Sequence, residues 1–318
     1  MNEYPSARAS RPLVFEPEIW QQAEAKLAPC LARAAGALGA LDALCESAPW
    51  LCNRLALIEV ETMLWTQGIL LKREEIGREL MAARGADVAG LLQARWSLRR
   101  LLARRDSRDL RDLRRFLGLH RNTGTPDVHV ERPQGMEFDY RADDFIRGLD
   151  RFRDLHPLSQ AAAALALWRS VGLSAVEDVI EAGTYAAIIA AHDLDHLGFV
   201  PFGQSGAKVW RGTGDIETRL GRWLDGVRRG AEIARDELRG LMGWHARALD
   251  AVQPMKGSTP ARIVELALQR PLLATEDAEV MLQISRDTAE RGLARLETEG
   301  ILREVTGRER FRLWAAAI

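Results

Sequence analysis

Cysteine is scarce: Cys30, Cys45 and Cys52 are the three in 318 residues, an odd number without paired metal-ligand spacing. That argues against a disulfide framework and a zinc ribbon, and it fits a cytoplasmic chain. No run approaches about 18 consecutive apolar residues, and the opening MNEYPSARASRPLVFEPEIW has no apolar stretch of signal-peptide length. Neither export nor membrane spanning is therefore expected. A surplus of either charge is missing too, because 44 Lys and Arg stand against 45 Asp and Glu. No global field draws nucleic acid or a membrane surface, so any such surface is local. Strand-like alternation is absent before Gly257. The glycines of GFVPFGQSGAKVWRGTGD, 198–215, fit neither GxGxxG nor a P-loop, and the stretch is expected to connect helices.

What is present points to helices. Hydrophobic residues make up 47% of the chain, enough for a substantial core and two domains. Ala, Leu, Arg and Glu dominate, with apolar residues every three or four positions, as in WQQAEAKLAPCLARAAGALGALDAL (Trp20 to Leu44), which Pro29 kinks or splits. One long arginine-rich helix is predicted from Gly90 to Leu117. From Arg95 to Arg121 ten arginines face Asp106, Asp109 and Asp112, a net charge of +7. The segment reads as a solvated face of Asp/Arg pairs or, more sharply, as a phosphate-facing surface. A loop with room for a short hairpin follows over 119–140, helices resume near Asp143, and DAVQPMKGST (Asp250 to Thr259) marks a linker.

The last sixty residues carry the clearest pattern. Thr259 is placed to cap a first helix with Pro260 at its start, Thr275 a second, EDAEVML, and Ser285 a third, RDTAERGLARLETE, stopped by Gly300. ILREV and FRLW then flank TGRER as a hairpin. Three helices and a hairpin give a winged helix-turn-helix, whose third helix reads the DNA major groove. With Ala289, Leu293 and Leu296 inward, the expected DNA-contacting residues are Ser285, Arg286, Arg291 and Arg295 on that helix and Arg308 and Arg310 at the hairpin tip. From Lys256 onward ten basic residues meet ten acidic ones, so a neutral protein-docking module is the competing reading.

AAHDLDHLGF, Ala190 to Phe199, raises a metal question. His192 and His196 are four apart with an aspartate beside each, a spacing that on a helix puts both imidazoles on one face. The pair also suits the last turn of an alanine-rich helix, where the dipole favours positive charge and Gly198 follows as a cap. The HD dipeptide resembles metal-dependent phosphohydrolases, yet His120, His129 and His245 lie in no matching motif. No metal is assigned, and His192 and His196 remain the candidates.

RPLLATEDAEVMLQISRDTAERGLARLETEGILREVTGRERFRLW, Arg270 to Trp314, resembles the winged helix that ends many bacterial Fic-family proteins. GDIETRLGRWLDGVRRGAEIARDEL (Gly214 to Leu238) is similar to the helix closing Fic domains, and EVETMLWTQG (Glu59 to Gly68) lies where such proteins carry an inhibitory E-A-x-x-S-x-x-I-E-G helix. Active members transfer AMP with a His-Pro-Phe-x-Asp/Glu-Gly-Asn-Gly-Arg loop, whose histidine acts as base while amides and an arginine hold phosphate. Here LHPLSQAAAALALW (Leu155 to Trp168) keeps His156 and Pro157, but Ala161, Ala162, Ala163 and Ala164 stand where Gly, Asn, Gly and Arg would be. Alanines continue a helix and supply neither an anion nest nor a cation. The inhibitory glutamate is likewise Gln67, and His156 then serves the start of a helix. The layout is also similar to bacterial proteins that pair a helical domain of unknown function with a helix-turn-helix.

The resemblance implies a mainly α chain. Residues 1–49 form an N-terminal tail and helices, 50–250 a Fic-like helical domain with a degenerate active-site loop, 251–259 a linker and 260–318 a winged helix-turn-helix domain. The expected function is DNA-binding regulation with double-stranded DNA as partner, a homodimer, no membrane and no cofactor. The alternatives are a remodelled nucleotidyltransferase around His156, a metal enzyme, or an interaction scaffold.

Overall fold

The computed structural model describes residues 13–73, 75–76, 88–103, 109–119, 131–307 and 312–318. His120, His129, Arg121, Arg308 and Arg310 lie outside the described residues, as do Arg104, Arg105 and Arg108 of the arginine-rich segment. Helix α1 (Pro17–Lys26) and α2 (Ala28–Ser47) divide at Leu27, with Pro29 in the first turn of α2, where no N–H is needed from it. By length and composition α2 is the one described helix apolar enough to cross a membrane. It packs along α10, and its Ala34, Leu38, Leu41 and Cys45 are buried at helical spacing. The body continues with α3 (Leu51–Thr66), α4 (Val88–Leu101), α5 (Leu113–Leu117), α6 (Gly135–Asp150), α7 (Pro157–Val171), α8 (Val179–Ala190), α9 (Gly206–Trp210) and α10 (Ile216–Val252).

Two expectations are corrected here. The arginine-rich segment is not one helix: α4 ends at Leu101, and a new start at α5 is capped by the Asp112 side chain, which accepts from the Arg115 amide at 2.9 Å. An aspartate able to satisfy an N-terminal amide breaks a periodic pattern without proline or glycine. The helix expected near Asp143 begins at Gly135, eight residues earlier, because Phe138 belongs to the apolar face it shares with Phe145.

Helices α7 and α8 form the centre. They are joined by residues 172–178, with Gly172 left-handed at φ +67°, and fold back on each other. Every residue of α8 except Ile189 is buried, as a helix in the middle of a core must be. Trp96, Phe116, Tyr185, Phe145 and Trp168 link edge to face with centroids 5.2–5.5 Å apart, each contact worth about 0.5–1.5 kcal/mol beyond its area.

Helix α10 spans 37 residues, about 55 Å at 1.5 Å per residue. Its buried residues run from Ile216, Leu220 and Trp223 to Leu238 in the body core. They continue as Leu241, Trp244, Ala248 and Val252 in a second core shared with the C-terminal module. Gly230 faces the loop at 198–203 so closely that a Cβ there would lie 2.0 Å from the Pro201 carbonyl oxygen. Two buried carboxylates hold this loop and the turn before it. Asp42 accepts from the amides of Asp195, His196 and Leu197 at 2.7–3.0 Å, and Glu59 from those of Phe202 and Gly203 at 2.7 and 2.8 Å.

The C-terminal module comprises α11 (Thr259–Gln269), β1 (Leu273–Ala274), α12 (Thr275–Leu282), α13 (Arg286–Thr298), β2 (Leu302–Glu304) and β3 (Leu313–Ala316). The sheet is antiparallel in the order β1-β3-β2, with Leu273 opposite Trp314 and Arg303 opposite Ala315. Strand β1 was not expected: two residues cannot show alternation. The second hairpin strand sits two residues later than FRLW, because Leu313 to Ala316 are all buried. The caps of α11 and α12 fall one residue before Thr259 and Thr275, at Ser258 and Ala274. The module leans on the body through Arg54, whose Nη2 donates to the carbonyls of Ala267, Leu268 and Arg270 at 2.7, 3.2 and 3.0 Å, and through the Trp244 indole, which donates to the Ile301 carbonyl at 2.9 Å.

Candidate nucleic-acid interface

Helices α12 and α13 are joined by Gln283, Ile284 and Ser285, with Gln283 left-handed at φ +53°. Ser285 caps α13: its Oγ accepts from the Thr288 amide at 3.3 Å. Ala289, Leu293 and Leu296 are fully buried, which fixes the rotation of the helix. Gly292 lets α13 cross α11 closely, since a Cβ there would lie 2.5 Å from the Ile263 terminal methyl. The opposite face shows Arg286, Asp287, Glu290, Arg291 and Arg295 to solvent.

Two of those arginines are held by their own helix. Arg286 Nε donates to Glu290 at 3.1 Å, and Arg291 pairs with Asp287 at 2.9 Å, both four residues apart. Such exposed pairs are worth about 0.3–0.5 kcal/mol, whereas a bidentate arginine contact to guanine is worth about 1–3 kcal/mol. The pairs are therefore too weak to keep these arginines from a stronger partner. Arg295 and Arg303 are exposed and make no ion pair among the described residues. Arg312 pairs with Glu297 at 2.8 Å and stacks on Trp314, fixing the base of the wing.

Among the described residues of the arginine-rich segment, three arginines are engaged within the body, while Arg99 and Arg115 are exposed. Arg111 forks onto Asp150 with two bonds of 2.8 Å, Arg114 onto Asp139 at 2.6 and 2.9 Å, and Arg100 lies over the Trp96 ring at 4.1 Å. The partners are carboxylates of α6, far along the chain, which the sequence pattern could not show.

His156 caps α7, its Nδ1 accepting from the Leu158 amide at 3.1 Å while its own amide donates to Glu24 at 3.0 Å. Pro157 opens the helix, and Ala161 to Ala164 are buried within it. Gln67 is not near His156: its carbonyl accepts from the amides of Val179 and Ile180 at 3.0 and 3.1 Å, closing the start of α8. That start lies beside the C-terminal end of α7, roughly 22 Å from His156 along a 15-residue helix. Behind it Glu181, wholly buried, is gripped by Arg132 at 2.5 Å, and burial holds its carboxyl above the usual range. The amides that could take an anion are satisfied by a neutral side chain, and the described arginine beside them is committed.

The histidine pair does not share a helical face. Helix α8 ends at Ala190, and His192 and His196 are exposed in the turns that Asp42 pins. Gly198 is not left-handed and caps nothing. No group of three or more His, Cys, Asp or Glu side chains able to hold a metal occurs among the described residues. Sequence reasoning missed Asp42 and Glu59, because a carboxylate inside a helical pattern reads as solvated until its partner loop is known.

Residues 261–316 match the family model described as an HTH DNA binding domain. A crystal structure of a Fic family protein from Desulfovibrio desulfuricans G20 is similar with TM-score 0.53, over 91% of this chain and 96% of that one, at 12% identity. The chain is a Fic-like helical body joined to a helix-turn-helix DNA-binding domain. At that identity the likeness is one of fold. No curated protein matches the chain.

Proposed function

We propose that the protein is a DNA-binding transcriptional regulator of the bacterial cytoplasm whose Fic-like body no longer transfers AMP. The observation that carries this reading is α13, capped at Ser285 and turned so that Arg286, Arg291 and Arg295 face outward within the matched DNA-binding segment. Loss of transfer chemistry is supported by the buried alanines 161–164, which continue α7 where the transfer loop would turn. The functional division falls at the 251–259 linker, with the last turns of α10 lending Trp244 and Ala248 to the reader's core. A homodimer through the body would present two readers to a two-fold site about 34–36 Å in repeat.

The test is retention of double-stranded DNA from the gene's own neighbourhood at graded salt. Salt-sensitive, sequence-dependent retention is expected, and its absence with every fragment would overturn the reading. The ion pairs on α13 and the module's neutral charge favour protein docking as the second reading, which capture of a protein partner without DNA retention would support.

A further inference from the structure

The loop at 198–215, expected only to connect helices, ends by organising a cluster of cations. Arg169 on α7 donates from Nη2 to the Trp210 carbonyl, Arg222 from Nη1 to the Thr213 carbonyl at 2.7 Å and its hydroxyl at 3.0 Å, and Arg219 from Nε to the Gly214 carbonyl at 2.6 Å. Three guanidiniums are thus fixed by backbone oxygens within five residues. Gly212 makes this possible, since it is left-handed at φ +60° and a Cβ there would sit 2.1 Å from an Arg169 nitrogen.

These arginines and Lys208 line one pocket of about 30 Å³, floored by Ala162, Leu165 and Ala166. No acidic side chain lines it, and none of the four cations makes an ion pair among the described residues. Burial pushes Arg169 down to about 10, and the neighbouring Arg219 charge pushes the same way. Trp223 lines the same pocket, and its buried indole N–H has no partner. By contrast, the buried Arg132–Glu181 pair is closed on itself.

We infer that this pocket is a binding site for the phosphate group of a small molecule. An apolar floor keeps the local dielectric low, so preset guanidinium forks bind a tetrahedral oxyanion strongly. The volume exceeds the roughly 10–15 Å³ that admits one water but holds only a headgroup, so any organic part of the ligand lies outside. The site is separate from the start of α8 that Gln67 closes, and it does not depend on the DNA reading. It sits at the N-terminal end of α10, whereas the reader packs on the other end, about 27 Å away from Trp223 to Leu241 at 1.5 Å per residue.

Calorimetric titration of the full-length protein with inorganic phosphate, against chloride at equal ionic strength, tests the inference. One saturable site is expected, at least tenfold weaker in Lys208→Gln and in Arg222→Gln, both exposed positions whose substitution leaves the core intact. Tighter binding of glycerol 3-phosphate would identify a phosphomonoester as the natural ligand, and equal binding would identify free phosphate. Trp223→Phe should weaken phosphate while retaining the aromatic packing. No saturable phosphate binding, or binding unchanged in both cation variants, overturns the site. So would a parallel loss of DNA retention in Arg222→Gln, which would make the cluster part of a nucleic-acid surface.

Discussion

Helices α7 and α13 start alike and are used in opposite ways. Each has a side-chain cap, His156 Nδ1 on the Leu158 amide in one and Ser285 Oγ on the Thr288 amide in the other. Beyond the cap, α7 is buried on nearly every side, while α13 buries one stripe and leaves its arginines in water. A capped N-terminus is therefore no sign of a ligand site in itself. What decides is where the next two turns point. In the body the polar groups are spent on the chain's own backbone: Asp42 and Glu59 hold a loop, Gln67 closes α8, and Arg54 holds the end of α11.

The strongest way to break that comparison is to place in α7 the arginine that active Fic proteins carry in their transfer loop. Ala164 is wholly buried, and Ala164→Arg would place an unpaired charge in the body core. The expected loss exceeds about 4 kcal/mol, among the largest single-substitution effects, and should appear as insoluble protein or a collapsed denaturation midpoint. A folded, nucleotide-binding Ala164→Arg protein would return α7 to the class of reactive helices.

A second test uses pH on the body alone. Burial raises the Glu59 carboxyl to about 8 against the pull of two amide bonds. The native state then keeps its proton where the unfolded chain, with an ordinary value near 4.3, has lost it. The associated stability is complete below about pH 4.3 and is lost as pH rises through 8. Glu181, Glu237 and Asp178 are shifted upward by burial too, so the total slope belongs to several groups. Glu59→Gln isolates one share: the fall in unfolding free energy from pH 6 to pH 9 should shrink by roughly 2–3 kcal/mol, about 1.4 per pH unit over the two units below 8. An unchanged slope in urea denaturation would show that Glu59 is ionised in the fold.

How much of this was legible in the sequence follows from the range of the interactions. The third helix of the reader was legible to within one residue at its end, because Ser285, the leucine stripe and Gly300 act within a few positions of one another. The break at Asp112 was available from its capping chemistry but was masked by the surrounding arginine and leucine periodicity. Strand β1 was not legible, since Leu273 and Ala274 become a strand only by pairing with Leu313 and Trp314. Glu59 and Asp42 were equally hidden, their partners lying more than 140 residues away. The cation pocket needed three arginines and a glycine loop to meet, and no spacing in the chain encodes that.

Sharpening the reader's side calls for separating its arginines. Arg286→Ala or Arg291→Ala each removes a side chain able to fork onto guanine, so discrimination between the preferred site and a single-base variant should fall by about 1–3 kcal/mol. Arg308→Ala or Arg310→Ala should instead weaken binding to all sequences and reduce the salt slope by about one unit per lost phosphate contact. Competition binding at two salt concentrations distinguishes the classes. If all four leave affinity and preference unchanged, the module docks protein.

The smallest effect probes the two caps directly. Ser285→Ala removes the acceptor for the Thr288 amide and should cost about 1 kcal/mol, as loss of a serine cap does. Because Arg286 opens the helix one residue later, fraying there also disorders the first reading side chain, so DNA affinity should fall severalfold. His156→Ala removes an acceptor of similar worth, about 0.5–1.5 kcal/mol, from the start of α7. The body should lose that stability while DNA affinity stays as it was, because everything beyond the cap is packed inward and Glu24 still holds the adjoining amide. Equal stability losses with unequal effects on DNA are the outcome expected of one local device in two settings. A His156→Ala protein that lost DNA binding as Ser285→Ala does would show that the body's central helix and the reader are energetically coupled through α10, and the separation drawn between them would have to be given up.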